Sequence, residues 1–79
     1  MNMESILIVD DDPGFRSLME TILRGEGYVI DMAGSVAEAL SSSGRKSFHL
    51  VISDLKLPDG RGVDVLRHCK QEMPETRSS

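Results

Sequence analysis

Two short apolar runs, each ending abruptly in carboxylates, constrain this chain more than anything else in it. Ile6-Leu-Ile-Val9 leads straight into Asp10-Asp11-Asp12, and Phe48-His-Leu-Val-Ile-Ser53 leads into Asp54. Neither run alternates apolar with polar, as a strand with one wet face would. Continuous apolar runs of this length suit strands of a parallel sheet buried on both faces. If the two strands are neighbours, their carboxyl ends lie side by side. Asp10, Asp11 and Asp54 then share one cleft, at the end of the sheet where open α/β folds bind ligands.

The segments around the two runs read as helices and one more strand. Asp12-Pro13 is a helix start, an N-cap aspartate followed by proline where a missing N–H does no harm. Phe15, Leu18, Met19, Ile22 and Leu23 follow at helical spacing, so a helix is expected over 13–24, with Gly25 and Gly27 closing it. Residues 28–32 read as a strand whose Asp31 suits an edge position. Ser35 and Glu38 form a capping box for a helix over 36–43, ended by Ser41–Gly44. Strand 48–53 is followed by a loop holding Pro58, Gly60 and Gly62. A third helix over 63–73 carries Gly62, Val65, Leu66, Cys69 and Met73 on one stripe, and Pro74 stops it. Residues 75–79 are polar and expected to fray. The pattern is βαβαβα: an α/β fold with a parallel sheet, right-handed crossovers, and the most apolar strand central, giving the order 2-1-3.

Composition narrows the function classes. The 79 residues suffice for one small domain, with an aliphatic core since only three residues are aromatic. Thirteen acids against nine bases give a net charge of −4, which argues against a nucleic-acid-binding face. No apolar run approaches the roughly 20 residues of a membrane span, and no signal-peptide pattern is present. The single cysteine allows no internal disulfide, which fits a reducing, cytoplasmic setting. Cys69, Met19, Met32 and Met73 read as core filling. His49 and His68 read as structural or solvated, and the arginines, Arg16 among them, as solvated faces.

Three carboxylates within about 5 Å repel by roughly 3 kcal/mol per pair at an effective dielectric near 20. Either one holds a proton or a cation sits among them. A hard divalent ion is the natural guest, and magnesium fits because it takes one or two carboxylates, keeps waters and completes its shell with phosphate oxygens. A carboxylate beside such an ion can attack a phosphoryl group and become an acyl phosphate.

Ile-Leu-Ile-Val-Asp10-Asp11-Asp12 and Val-Ile-Ser-Asp54-Leu-Lys56-Leu-Pro58-Asp-Gly60-Arg-Gly62, with the capping box between them, resemble the receiver domain of bacterial two-component response regulators. The resemblance spans essentially the whole chain. It implies a flavodoxin-like fold, in which the order 2-1-3 continues through two further βα units. It implies that Asp54 accepts a phosphoryl group from a sensor histidine kinase. It implies a magnesium site made of Asp10, Asp11, Asp54 and the backbone carbonyl of Lys56. Pro58 and Gly60 match the loop that sets the third helix. The fourth strand's serine or threonine, the fifth strand's lysine and any output domain have no counterpart here, so the chain reads as a truncated receiver, and the resemblance implies impaired phosphorylation.

Three alternatives follow. With nothing after it, the apolar edge of strand 48–53 is expected to pair with a second copy or to refold into an exchanged dimer, giving a homodimer either way. A receiver remnant that only dimerises and carries no phosphoryl group is the second reading. The third is an aspartate-nucleophile phosphatase of the haloacid dehalogenase type, whose Asp-x-Asp signature Asp10–Asp12 formally satisfies. Pro13 speaks against it.

Overall fold

A computed structural model describes residues 4–72 and 77–78. Its elements are β1 (Ser5–Val9), α1 (Pro13–Gly25), β2 (Val29–Ala33), α2 (Val36–Arg45), β3 (Leu50–Ser53), β4 (Lys56–Leu57), β5 (Gly60–Arg61), α3 (Gly62–Glu72) and β6 (Arg77–Ser78). The main sheet is parallel, ordered β2-β1-β3-β6. The fold is flavodoxin-like, with β1 central and β2 at an edge, as the apolar pattern required.

Every residue of β1 is buried because both its faces are covered. Leu7 and Val9 pack with Val51, Ala39, Val65 and Cys69 on the side of α2 and α3. Ile6 and Ile8 point the other way, with Ile30, towards Met19 and Leu23 of α1. This alternation is why the unbroken apolar run Ile6–Val9 is stable here.

The ends of α1 follow the local rules. Asp12 accepts a hydrogen bond from Gly14 N at 2.9 Å, and Pro13 opens the helix. At the other end Tyr28 N donates to Leu23 O and Gly27 N to Arg24 O, a Schellman closure. Gly27 holds φ at 94°, the left-handed region that this closure needs and that glycine adopts without a Cβ penalty.

The structure departs from the sequence expectations in five places. Of the α1 stripe, only Met19 and Leu23 turn to the sheet, while Phe15, Leu18 and Ile22 are 40%, 57% and 50% exposed. One helix touches the sheet along a single narrow line, so a stripe this wide cannot all be covered. Met32 is likewise exposed, on the edge strand. Gly44 does not end α2, which continues to Arg45; in a last turn its helix penalty is small. The 55–62 loop is partly regular, a hairpin in which Lys56 pairs with Arg61 and Leu57 with Gly60. The far edge of β3 is not bare either: Arg77 and Ser78 pair with Leu50 and Val51, where a frayed tail was expected. That removes the ground for a homodimer through this edge along those two residues. Met73 and Pro74 lie outside the described residues.

Candidate metal centre

The carboxyl ends of β1 and β3 are held at one level by the ladder itself. Val9 pairs with Ser53, and Asp54 N donates to Val9 O at 2.8 Å, so Asp10 and Asp54 leave adjacent strands together. One oxygen from each of Asp10, Asp11 and Asp54 lies within 4.8 Å of the other two. Asp10 is half-buried; Asp11 and Asp54 are exposed.

Backbone groups fix two of these side chains. Asp10 Oδ1 accepts from Asp12 N at 2.9 Å, and Asp54 Oδ1 accepts from Leu55 N at 2.8 Å. A carboxylate has two oxygens, so each keeps acceptor capacity for a cation. The donor set is all hard oxygen, clustered at a wet strand end, which suits a divalent ion that retains waters. The openness of the cleft also corrects the electrostatics. Water screens these acids well, so their mutual repulsion is weaker than an effective dielectric of about 20 implies.

Lys56 sits two residues beyond Asp54 on β4, with its side chain in solvent. Asp12 stands apart: its Oδ1 is occupied as the α1 cap. The third acid of the cluster is thus Asp54, at the end of β3, and not Asp12 of the Asp-x-Asp run.

Three supporting residues have partners that the sequence reading did not identify, although it allowed His49 a structural role. Arg16 is not a solvated side chain: its Nη1 donates to Asp10 O at 2.7 Å, tying α1 to the end of β1. His49 Nδ1 accepts from Ser5 N at 3.0 Å, while His49 N donates to Ser5 O at 2.9 Å, which locks the entrance of β3 to β1. Asp59 accepts from Val36 N at 2.7 Å and Ala37 N at 3.0 Å. Those two backbone N–H groups, Ala37 first, hold its carboxyl below the usual carboxylate range. No local signal marks any of the three, because each partner is distant or is a backbone atom.

Gly62 completes the site. A Cβ there would collide with the carbonyl oxygen of Asp54, and Gly62 N donates to Leu55 O at 3.0 Å. The start of α3 can lie against the turn after β3 only without a side chain.

Comparison with known proteins gives a consistent picture. Residues 6–78 match the family described as response regulator receiver domain. The chain is 37% identical over 76 residues to the response regulator protein PilR of Pseudomonas aeruginosa, covering 96% of this chain and 17% of that protein. It is 36% identical over 70 residues to the probable transcriptional regulatory protein TcrX of Mycobacterium tuberculosis, covering 89% of this chain and 30% of TcrX. A CheY-like receiver domain protein from Methanospirillum hungatei superposes with a TM-score of 0.93 at 32% identity, over 98% of this chain and 62% of that one. The response regulator TrrA of Thermotoga maritima, solved in complex with Mg2+ and BeF, superposes with a TM-score of 0.89 at 34% identity, over 96% of this chain and 66% of that one. The chain thus spans less than a third of these two curated relatives and about two thirds of the solved receivers.

Proposed function

The chain belongs to the response regulator receiver family of two-component signalling, and from that premise we propose that it accepts a phosphoryl group on Asp54 from a sensor histidine kinase. Magnesium is the cation of the site, with Asp10, Asp11, Asp54 and the Lys56 carbonyl as its protein ligands. The observation that carries this reading is the convergence of three carboxylate oxygens within 4.8 Å at the ends of β1 and β3. The TrrA complex with Mg2+ and BeF supports it by likeness.

The chemistry asked of the chain is modest. Asp54 Oδ1 is held by the Leu55 N–H, which fixes the rotation of the carboxylate. Its other oxygen attacks phosphorus, and an O–P bond forms as the bond to the donor's leaving atom breaks, with the electron pair departing on the leaving group. Bound magnesium neutralises charge on the transferring oxygens. Asp10 and Asp11 hold the cation, and Arg16 steadies the end of β1 that carries them. The domain is a signalling module and turns over no external substrate in this reading.

Incubation with acetyl phosphate and magnesium tests it by intact mass. We expect one added phosphoryl group on the wild type, none on Asp54→Asn, and none after chelation of the metal. A wild type that gains no mass and binds no beryllofluoride overturns the proposal. In that case the exposed Phe15, Leu18 and Ile22 favour the second reading, a receiver remnant that self-associates, with association unchanged in Asp54→Asn.

A further inference from the structure

The hairpin after Asp54 is fastened at two points that are far apart in sequence. At its far end, Gly62 lies against the Asp54 carbonyl so closely that no Cβ fits between them. At its tip, the Asp59 carboxylate receives both the Val36 and the Ala37 N–H of α2, at 2.7 and 3.0 Å. Those two donors are among the first-turn N–H groups that have no partner inside their own helix. A third, Glu38 N, is taken by Ser35 Oγ at 3.2 Å. The start of α2 is thus capped partly by its own Ser35 and partly, across 23 residues, by the hairpin tip. The fit is close in shape as well: a Cβ on Gly60 would meet Val36 Cγ2 at 2.9 Å.

Lys56 lies on the first strand of this hairpin, between the phosphoacceptor and the Asp59 anchor. We propose that Asp59 is a positioning residue for the cation site: by clamping the hairpin to the N-terminus of α2 it sets where the Lys56 backbone stands relative to Asp10, Asp11 and Asp54. The inference rests on the magnesium reading given above. It adds a reciprocal consequence. If the clamp favours the cation, the cation must tighten the clamp, because coupling between two sites acts in both directions. Occupancy of the acid cleft is then felt at the first turn of α2.

The test compares wild type, Asp59→Ala, Asp59→Asn and Ser35→Ala, all on the full chain. Magnesium affinity is read by calorimetry, and the α2 amides by hydrogen exchange. Loss of a group coupled to a binding site typically weakens binding about 5-fold or more. We expect that loss in Asp59→Ala and a partial recovery in Asp59→Asn, whose amide oxygen still accepts one bond. Ser35→Ala loosens the same helix end without touching the hairpin, so it keeps wild-type affinity. Magnesium is expected to slow exchange at Val36 and Ala37 in the wild type but not in Asp59→Ala. Equal affinity in wild type and Asp59→Ala overturns the inference alone. So does a loss in Ser35→Ala as large as that in Asp59→Ala, since a general fraying of α2 would then suffice. A wild type with no magnesium binding overturns the cation reading and this inference with it.

Discussion

Asp59 makes its full contribution as an anion. Its folded-state carboxyl lies below the ordinary value of 3.8, with the Ala37 and Val36 N–H groups as the cause. A depressed carboxyl stabilises the fold above its unfolded value, and that stabilisation disappears as pH falls through the folded one. Urea midpoints of wild type and Asp59→Asn should therefore differ most at neutral pH and converge as the pH drops below 3.8. A gap that persists unchanged in acid would show that the carboxylate charge is not involved. His49 allows a second residue-level prediction. His49→Ala removes the acceptor of a Ser5 N–H that sits in a residue only 7% exposed. A buried donor left without a partner costs about 1–3 kcal/mol, measurable by chemical denaturation. The same substitution at His68, half-buried on α3, has no such donor to orphan and should cost less than His49→Ala.

Among elements, α1 and β1 show opposite relations between apolarity and burial. Leu7 in β1 is 0% exposed and has neighbours on every side. Leu7→Ala should lower stability by about 2–5 kcal/mol. Leu18 in α1 is equally apolar but 57% exposed. Leu18→Glu should change stability by no more than about 0.5 kcal/mol while lowering dye binding to exposed apolar surface. If Leu18→Glu unfolded the chain, the outer stripe of α1 would have to be buried in solution. The difference between the elements is one of covering layers. The α2–α3 face of the sheet has two helices over it, whereas among the described residues the opposite face has only α1.

At the scale of the molecule, Cys69 reports the integrity of the core. It is 1% exposed, packed with Leu7, Val51 and Val65, and burial pushes its thiol above the ordinary 9.0. The reactive thiolate is thus both hidden and disfavoured. Iodoacetamide should modify the native chain only as fast as the core opens, and rapidly in urea, as followed by mass; equal rates in both would contradict the packing. Magnesium should slow the native reaction further, because a ligand that binds only the folded state stabilises it by mass action.

How much of this was legible in the sequence depends on the range of the physics involved. Period and cap are local. The unbroken apolar runs dictated buried parallel strands, Asp12 and Pro13 dictated where α1 starts, and the order 2-1-3 followed from placing the most apolar strand at the centre. That two strands side by side bring Asp10, Asp11 and Asp54 together needed only this topology. What the sequence could not contain was the choice among distant partners. Asp59 looks like a turn residue until α2 is seen beside it, and nothing in the sequence chooses between a structural and a solvated His49 until Ser5 is seen beside it. Nor could helical spacing tell which apolar residues of α1 are covered, since that depends on what packs over the helix. Short-range rules set the elements, and the sheet order inferred from them set the acid cleft. The clamp on α2, the paired edge of β3 and the bare flank of α1 were decided only when the elements met, because each depends on surfaces that no single stretch of chain possesses.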